Sequence, residues 1–283
     1  MKPLHPYFGG KRRAAAEVWR ALGNVSRYVE PFLGSGAVLL ANPSPPLSEL
    51  VNDRCHHIAN LWRSLQRDPD EVMRVASAPC SEVELRARHA WLKAWEAPDF
   101  ADLDACDPYA AGVWLWRSCV SIAGNGKALS RGGKPAGIKG RTWGTEQTRA
   151  VVDRIKGVEV LCGDWSRCVT RSGIGYCDGP VGVFLDPPYG EGFDVSYEDG
   201  TGDVARDVWA WAVEHGDNPR LRIVVAGYDD GRELPEGWRV VERVENGGYT
   251  HTAKKNGANA NRKRERLWLS PHCLRDAEPG VLL

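Results

Sequence analysis

The sequence predicts an α/β fold built on one mostly parallel sheet, and three observations support it. Short apolar runs alternate with amphipathic helical patterns at both ends of the chain. The last two apolar runs, "WRVVERV" and "RERLWLS", have no helical pattern between them and read as an antiparallel pair. Between the α/β ends lies a mostly helical stretch and then a glycine-rich, basic window, so the sheet carries an insertion. Residues 1–64 and 151–283 then make one α/β domain, and 65–150 its helical insertion with a glycine-basic loop at 124–145.

The elements follow in order. Residues 14–22, "AAAEVWRAL", have helical periodicity, and "VSRYVEPFLGSGAVLLA" reads as a short strand, a glycine turn and a new helix. After the prolines at 43–46 come "ELVND" as a strand and "HIANLWRSL" as a helix. Residues 70–120 are helical in pattern, with Trp91, Trp95 and Trp114 offering apolar stripes. From 151 onward "VEVLCGD", "VGVFLD" and "RIVVAGY" read as strands and "DVWAWAVEH" as a helix.

Composition excludes several classes of function. Lys+Arg and Asp+Glu both number 37, so global charge gives no indication of a nucleic-acid partner, and only local clusters can. The eight cysteines include no CxxC pair, and Cys55-His56-His57 has no second ligand pair at finger-like spacing, so no metal is expected. No apolar run approaches the roughly 18 residues of a membrane span, and the N-terminus does not resemble a signal peptide. The expectation is a soluble protein of a reducing cytosol.

The candidate site lies at strand ends. In "EPFLGSGAV", Gly34 and Gly36 fall between a strand and an expected helix, where glycine lets a ligand approach the backbone and the helix end favours negative charge or polar acceptors. The spacing is not GxGxxG, so a dinucleotide is not the natural inference. Asn52-Asp53 closes the next strand, 19 residues after Gly34, a position suited to ribose hydroxyls or to simple capping. At "VLCGDW", Asp164 is placed to accept from an adenine amino group and Trp165 to pack on the ring; an ordinary strand end is the competing reading. Convergence favours a site, because Asp53, Asp164 and Asp186 all close strands, and ligands bind at the carboxyl ends of parallel strands.

The strongest local signal is "VGVFLDPPYG" at 181–190. Pro187 and Pro188 make a stiff corner with carbonyls but no N–H donors, and ionised Asp186 is likewise only an acceptor. Acceptors beside an aromatic face suit a planar ring with an exocyclic amino group. The Asp186 carboxylate and the Pro187 carbonyl can hold the two N–H hydrogens, which turns the nitrogen lone pair out of conjugation toward an electrophile. Tyr189 would stack on the ring; a proline-rich turn with Tyr189 in the core is the structural alternative.

Five motifs in register carry a resemblance to a family: "PYFGGK" at 6–11, "EPFLGSGAV" at 30–38, "VND" at 51–53, "GDW" at 163–165 and "DPPYG" at 186–190. Together they resemble the Dam-like (D12) class of S-adenosylmethionine-dependent DNA adenine N6-methyltransferases, including the phage-type members. The resemblance spans nearly the whole chain. It implies a Rossmann-like methyltransferase sheet with one antiparallel strand near its end and a target-recognition insertion at 65–150. It implies that Tyr7 and Lys11 lie against the cofactor methionine and active site, and that Glu30, Pro31, Phe32, Gly34 and Gly36 form the cofactor loop. Asp53 would hold the ribose, Asp164 and Trp165 would flank the cofactor adenine, and Asp186, Pro187, Pro188 and Tyr189 would handle the target base. There are two departures from the pattern: Arg54-Cys55 follow Asp53 where relatives often carry a second apolar or acidic residue, and Trp165 stands where Phe is more usual.

The implied reaction is direct methyl transfer to adenine N6 in double-stranded DNA with base flipping, in a bacterial or phage-infected cytosol. The acid-free window 124–145, with Lys127, Arg131, Lys134, Lys139 and Arg141, is the leading DNA contact, and "KKNGANANRKRER" at 254–266 is a second. The acidic stretch 190–203 would cap the active site or face away from phosphate, with Phe193 and Tyr197 near the vacated base. Three rivals stand beside this reading: N4-cytosine methylation, an RNA substrate, and a DNA-binding protein without catalysis. Recognition sequence, a companion restriction enzyme and oligomeric state are not legible in the sequence.

Overall fold

The computed structural model describes residues 1–5, 11–102, 105–121, 146–175, 177–188, 201–242 and 265–275, with backbone only at 201–203. The described strands are β1 (Arg27–Glu30), β2 (Ser48–Asp53), β3 (Glu159–Cys162), β4 (Val181–Leu185), β5 (Leu221–Tyr228), β6 (Arg239–Glu242) and β7 (Glu265–Leu269). The helices are α1 (Ala15–Leu22), α2 (His56–Arg67), α3 (Pro69–Ala76), α4 (Glu82–Lys93), α5 (Pro108–Val120), α6 (Glu146–Ile155) and α7 (Thr201–His215). The strands form a seven-stranded sheet in the order β3-β2-β1-β4-β5-β7-β6. Pairings β2·β3, β1·β4 and β4·β5 are parallel, whereas β7 runs antiparallel to both β5 and β6. The expected mixed α/β sheet, with its antiparallel strand near the end, is therefore present.

The chain divides into two compact units: Met1–Ala16 with Pro31–Gly173, and Glu17–Glu30 with Ile174–Leu283. In the first, α2 buries Ile58, Leu61, Trp62 and Leu65, the i, i+3, i+4, i+7 stripe of an amphipathic helix. Its neighbour α3 starts where Asp68 accepts from the Glu71 amide and Pro69 occupies the first turn. Ser81 does the same for α4 through the Glu84 amide, and Asp107 for α5 through Ala110. Helix α5 is buried from Ala110 to Trp116, which is possible because Gly112 lets α3 approach; a Cβ there would lie 2.6 Å from Val75 Cβ. Trp114 is buried as the periodicity predicts, but Trp91 is 40% exposed and meets Tyr109 edge-on at 5.3 Å.

One buried ion pair ties α6 to β2. Arg154 donates through two nitrogens to the Glu49 carboxylate at 2.5 and 2.6 Å, and also to the Leu39 carbonyl at 3.1 Å. The side chains are only 11% and 6% exposed, so removing one partner strands the other charge away from water. Glu49→Ala is expected to cost about 3–5 kcal/mol of stability. A urea titration of the variant against the wild type measures it.

In the second unit β4 is buried at every position, as a central parallel strand requires. It pairs with β1 on one side (Val29 beside Val183) and β5 on the other (Phe184 beside Val224). Trp209, Trp238 and Trp268 cluster, and Arg232 covers Trp209 and Trp268 at 4.3 and 4.5 Å from their ring centres. The sequence reading fails at one element. The helix expected after the glycine turn is only a 3-10 turn, Leu39–Ala41. Asn42 precedes Pro43 and is held at ψ 120°, outside the helical region, so the run ends before an α-helix can establish itself.

Candidate active site

The first unit carries most of the expected cofactor residues, whereas Glu30 belongs to the second. Asp53, at the end of β2, is 6% exposed and accepts from the Gly34 amide at 2.8 Å and the Cys55 amide at 2.9 Å, one bond to each carboxylate oxygen. Burial pushes its pKa up to about 6, against the two backbone donors, which pull it down. Asp53 is thus a clamp on the glycine loop, in addition to anything it offers a ligand. Gly34 and Gly36 have φ of 49° and 64°, the left-handed region that glycine enters most freely. At Gly36 a second constraint applies, since a Cβ would sit 2.6 Å from the Trp62 ring. That close approach is to a core side chain. With no α-helix behind the loop, a helix dipole contributes nothing to anion binding there, which corrects the expectation from the sequence.

Asn52, the residue before the clamp, is not among the site residues expected from the sequence. It is 1% exposed, and its amide donates to the carbonyls of Pro31 and Gly163, both at 3.0 Å. The Leu33 amide donates to the Asn52 carbonyl at 2.9 Å, and the Gly163 amide to the Asp53 carbonyl at 3.3 Å. The end of β2 therefore grips the loops after β1 and β3 together. On those loops Phe32 and Trp165 lie 6.2 Å apart with ring planes 25° from parallel. Asp164 is exposed and caps the turn Trp165–Val169 by accepting from the Ser166 amide at 2.9 Å.

Lys11 opens a short 3-10 turn, Lys11–Arg13, and is 5% exposed. Cys55 and Cys162 have pKa values pushed up to about 11 and about 12, chiefly by burial and then by the Asp53 charge. Both are therefore neutral thiols at ordinary pH, unsuited as nucleophiles. His57 is pushed down to about 4 by burial and by Arg117 and His56, and it stacks on Trp95 at 4.8 Å. Cys55-His56-His57 thus belongs to the packing at the start of α2. Among the described residues no group of three or more His, Cys, Asp or Glu could hold a metal ion. None of the eight cysteines forms a disulfide, and no described helix is long and apolar enough to cross a membrane.

The second unit carries the expected catalytic corner. Asp186 follows β4 directly and is half-buried; Pro187 is buried and Pro188 half-buried. Beside β4, β1 ends at Glu30, which is 2% exposed and accepts from the Tyr28 hydroxyl at 2.9 Å. Chain order in the sheet reverses between β1 and β4, with β2 and β3 on one side and β5 on the other. Ligands of open α/β sheets bind outside the carboxyl ends of strands at such a reversal. Tyr7, Tyr189, Phe193, Tyr197, the basic set Lys127, Arg131, Lys134, Lys139 and Arg141, and residues 254–264 lie outside the described residues. Arg266, from the second basic cluster, is 14% exposed and faces Asp229 at 3.4 Å and Glu242 at 3.3 Å, so its charge is already met within the protein.

Residues 7–89 match the family model of the D12 class N6 adenine-specific DNA methyltransferase. A curated relative, the Type II methyltransferase M.MjaIII of Methanocaldococcus jannaschii, is 24% identical over 207 residues, covering 67% of this chain and 69% of its own. Two solved structures of the rRNA methyltransferase aviRa from Streptomyces viridochromogenes align over 96% of this chain and 89% and 88% of theirs. They are 14% identical with TM-scores of 0.37 and 0.38, too low to inform either fold or substrate. The match at 7–89 takes in the motifs at 30–38 and 51–53 and most of that at 6–11.

Proposed function

We propose that the protein transfers a methyl group from S-adenosylmethionine to the N6 amino group of adenine in double-stranded DNA. The observation that carries this reading is the acceptor corner Asp186-Pro187 at the end of the fully buried strand β4, beside β1 where the strand order reverses. The D12 family match and the methyltransferase relative support it.

The residues of the first unit fit the cofactor. The loop from Pro31 to Gly36, held by Asn52 and Asp53, presents backbone at Gly34, and Phe32 and Trp165 offer aromatic faces to an adenine. Asp53 would contact the ribose, Asp164 the adenine amino group, and Tyr7 and Lys11 the methionine end. S-adenosylmethionine, when bound, supplies an electrophilic methyl group on sulfur. The target adenine is unreachable inside a duplex, so it is flipped at a cost of a few kcal/mol. Tyr189 stacking would return about 1–3 kcal/mol of this. The Asp186 carboxylate and Pro187 carbonyl accept the amine hydrogens and aim the nitrogen lone pair. The N–C bond forms as the sulfur–methyl bond breaks, and the proton lost from nitrogen leaves through Asp186. The amine is itself the nucleophile, so the reaction calls for no protein thiol. The helices of 65–150 with the basic loop 124–145 would read the DNA.

The test is transfer of tritium from methyl-labelled S-adenosylmethionine to unmethylated duplex DNA. Label recovered in DNA is the expected result. A folded protein that binds the cofactor and DNA yet transfers nothing would contradict the reading.

A further inference from the structure

We infer that Asn52 is a positioning residue for the cofactor, a single buried amide that fixes the spacing of the two loops that would enclose it. The inference rests on the cofactor reading above and deepens it.

Two loops are at issue, 31–36 after β1 and 163–165 after β3, and they carry Phe32 and Trp165 respectively. The Asn52 side chain touches both. Its amide nitrogen has two hydrogens, and each goes to a carbonyl at 3.0 Å: Pro31 on the first loop and Gly163 on the second, 21 and 111 residues away in sequence. The side-chain oxygen is buried and has no partner among the described residues, so the amide is retained for its donors alone. No residue of similar size can replace it. Aspartate would face two carbonyl oxygens with acceptors only, and leucine would leave both carbonyls buried without a donor. Asp53 grips only one of the two loops with its side chain, through Gly34, and meets the other with its backbone carbonyl. The gap between Phe32 and Trp165 therefore depends on the Asn52 side chain, whereas either loop by itself has other anchors.

A purely structural amide and a positioning amide predict different kinetics. Losing a positioning residue weakens cofactor binding while leaving the chemistry of bound cofactor intact. Asn52→Asp and Asn52→Ser are compared with wild type by calorimetric binding of S-adenosylmethionine, by KM and kcat for tritium transfer, and by thermal melting. The expected result is a rise of at least about tenfold in both Kd and KM for S-adenosylmethionine in Asn52→Asp. Asn52→Ser, whose hydroxyl can reach one carbonyl at most, falls between. In both variants kcat at saturating cofactor and KM for DNA stay within about twofold of wild type.

Unchanged Kd and KM for the cofactor, with only a lowered melting temperature or a reduced active fraction, would overturn the inference. If Asn52→Asp does not fold, Asn52→Ser decides by the same criterion. Failure of the wild type itself to bind S-adenosylmethionine would instead overturn the cofactor reading.

Discussion

Asp186→Ala is expected to lower the rate of methyl transfer by at least about a thousandfold while leaving cofactor affinity within about threefold of wild type. The carboxylate follows the last residue of β4, so the buried strand fixes where it stands. The next two residues are prolines, which bring no N–H into the corner. In the proposed reaction it holds an amine hydrogen and takes up positive charge that develops as the N–C bond forms. Alanine removes both functions. Asp186→Asn restores the size but turns donors toward an amine that is itself a donor, so it is expected to lose activity in the same direction. Single-turnover tritium transfer and calorimetry measure the two quantities separately. Near-normal turnover in either variant would remove Asp186 from the mechanism.

Asp53→Asn is expected to weaken S-adenosylmethionine binding about a hundredfold. Each carboxylate oxygen accepts one backbone N–H, and such charge-assisted bonds are worth about 1.5–3 kcal/mol each. Asparagine can accept only one, and its amide group would meet the other N–H head-on. The same clamp gives a pH dependence with a definite sign. The pKa in the folded chain is about 6, raised from 3.8. The folded state therefore holds this proton more tightly than the unfolded state does. Stability from this group, on the order of 3 kcal/mol, is fully present below pH 3.8 and is lost as pH rises through 6. The clamp behaves oppositely: a protonated carboxyl loses acceptor capacity toward Gly34 and Cys55, so cofactor affinity falls as pH drops through about 6. Asp53→Asn should flatten that affinity profile. A wild-type affinity constant between pH 5 and 7.5 would contradict the clamp.

How much of this was legible in the sequence depends on the range of the interaction. The strand ends were readable because local chemistry punctuates them: Pro187-Pro188 stops β4, and Gly163 with φ of 136° stops β3. The short strands and the antiparallel pair followed from apolar runs alone. The absence of the helix expected after Gly36 had its warning in the sequence, since Pro43, Pro45 and Pro46 leave too little chain for a stable α-helix, whereas the apolar run "AVLLA" points the other way. Asn52 could not be found locally, because its partners lie 21 and 111 residues away and an Asn at a strand end is ordinary. The Glu49–Arg154 pair spans 105 residues and is invisible for the same reason. Trp91 misled because helical spacing places a side chain on a face without saying whether another element covers it. The role of Asp53 was half legible: its place at the end of β2 was foreseen, whereas its grip on the Gly34 and Cys55 amides needed the folded loop.

The central claim is that the acceptor corner after β4 serves the N6 amine of adenine. Unmethylated duplex DNA incubated with the protein and S-adenosylmethionine, digested to nucleosides and analysed by mass spectrometry, tests it most directly. N6-methyldeoxyadenosine as the sole new nucleoside, absent with Asp186→Ala, is the predicted result. N4-methyldeoxycytidine in its place, or no methylated nucleoside from a protein that binds both cofactor and DNA, would contradict it.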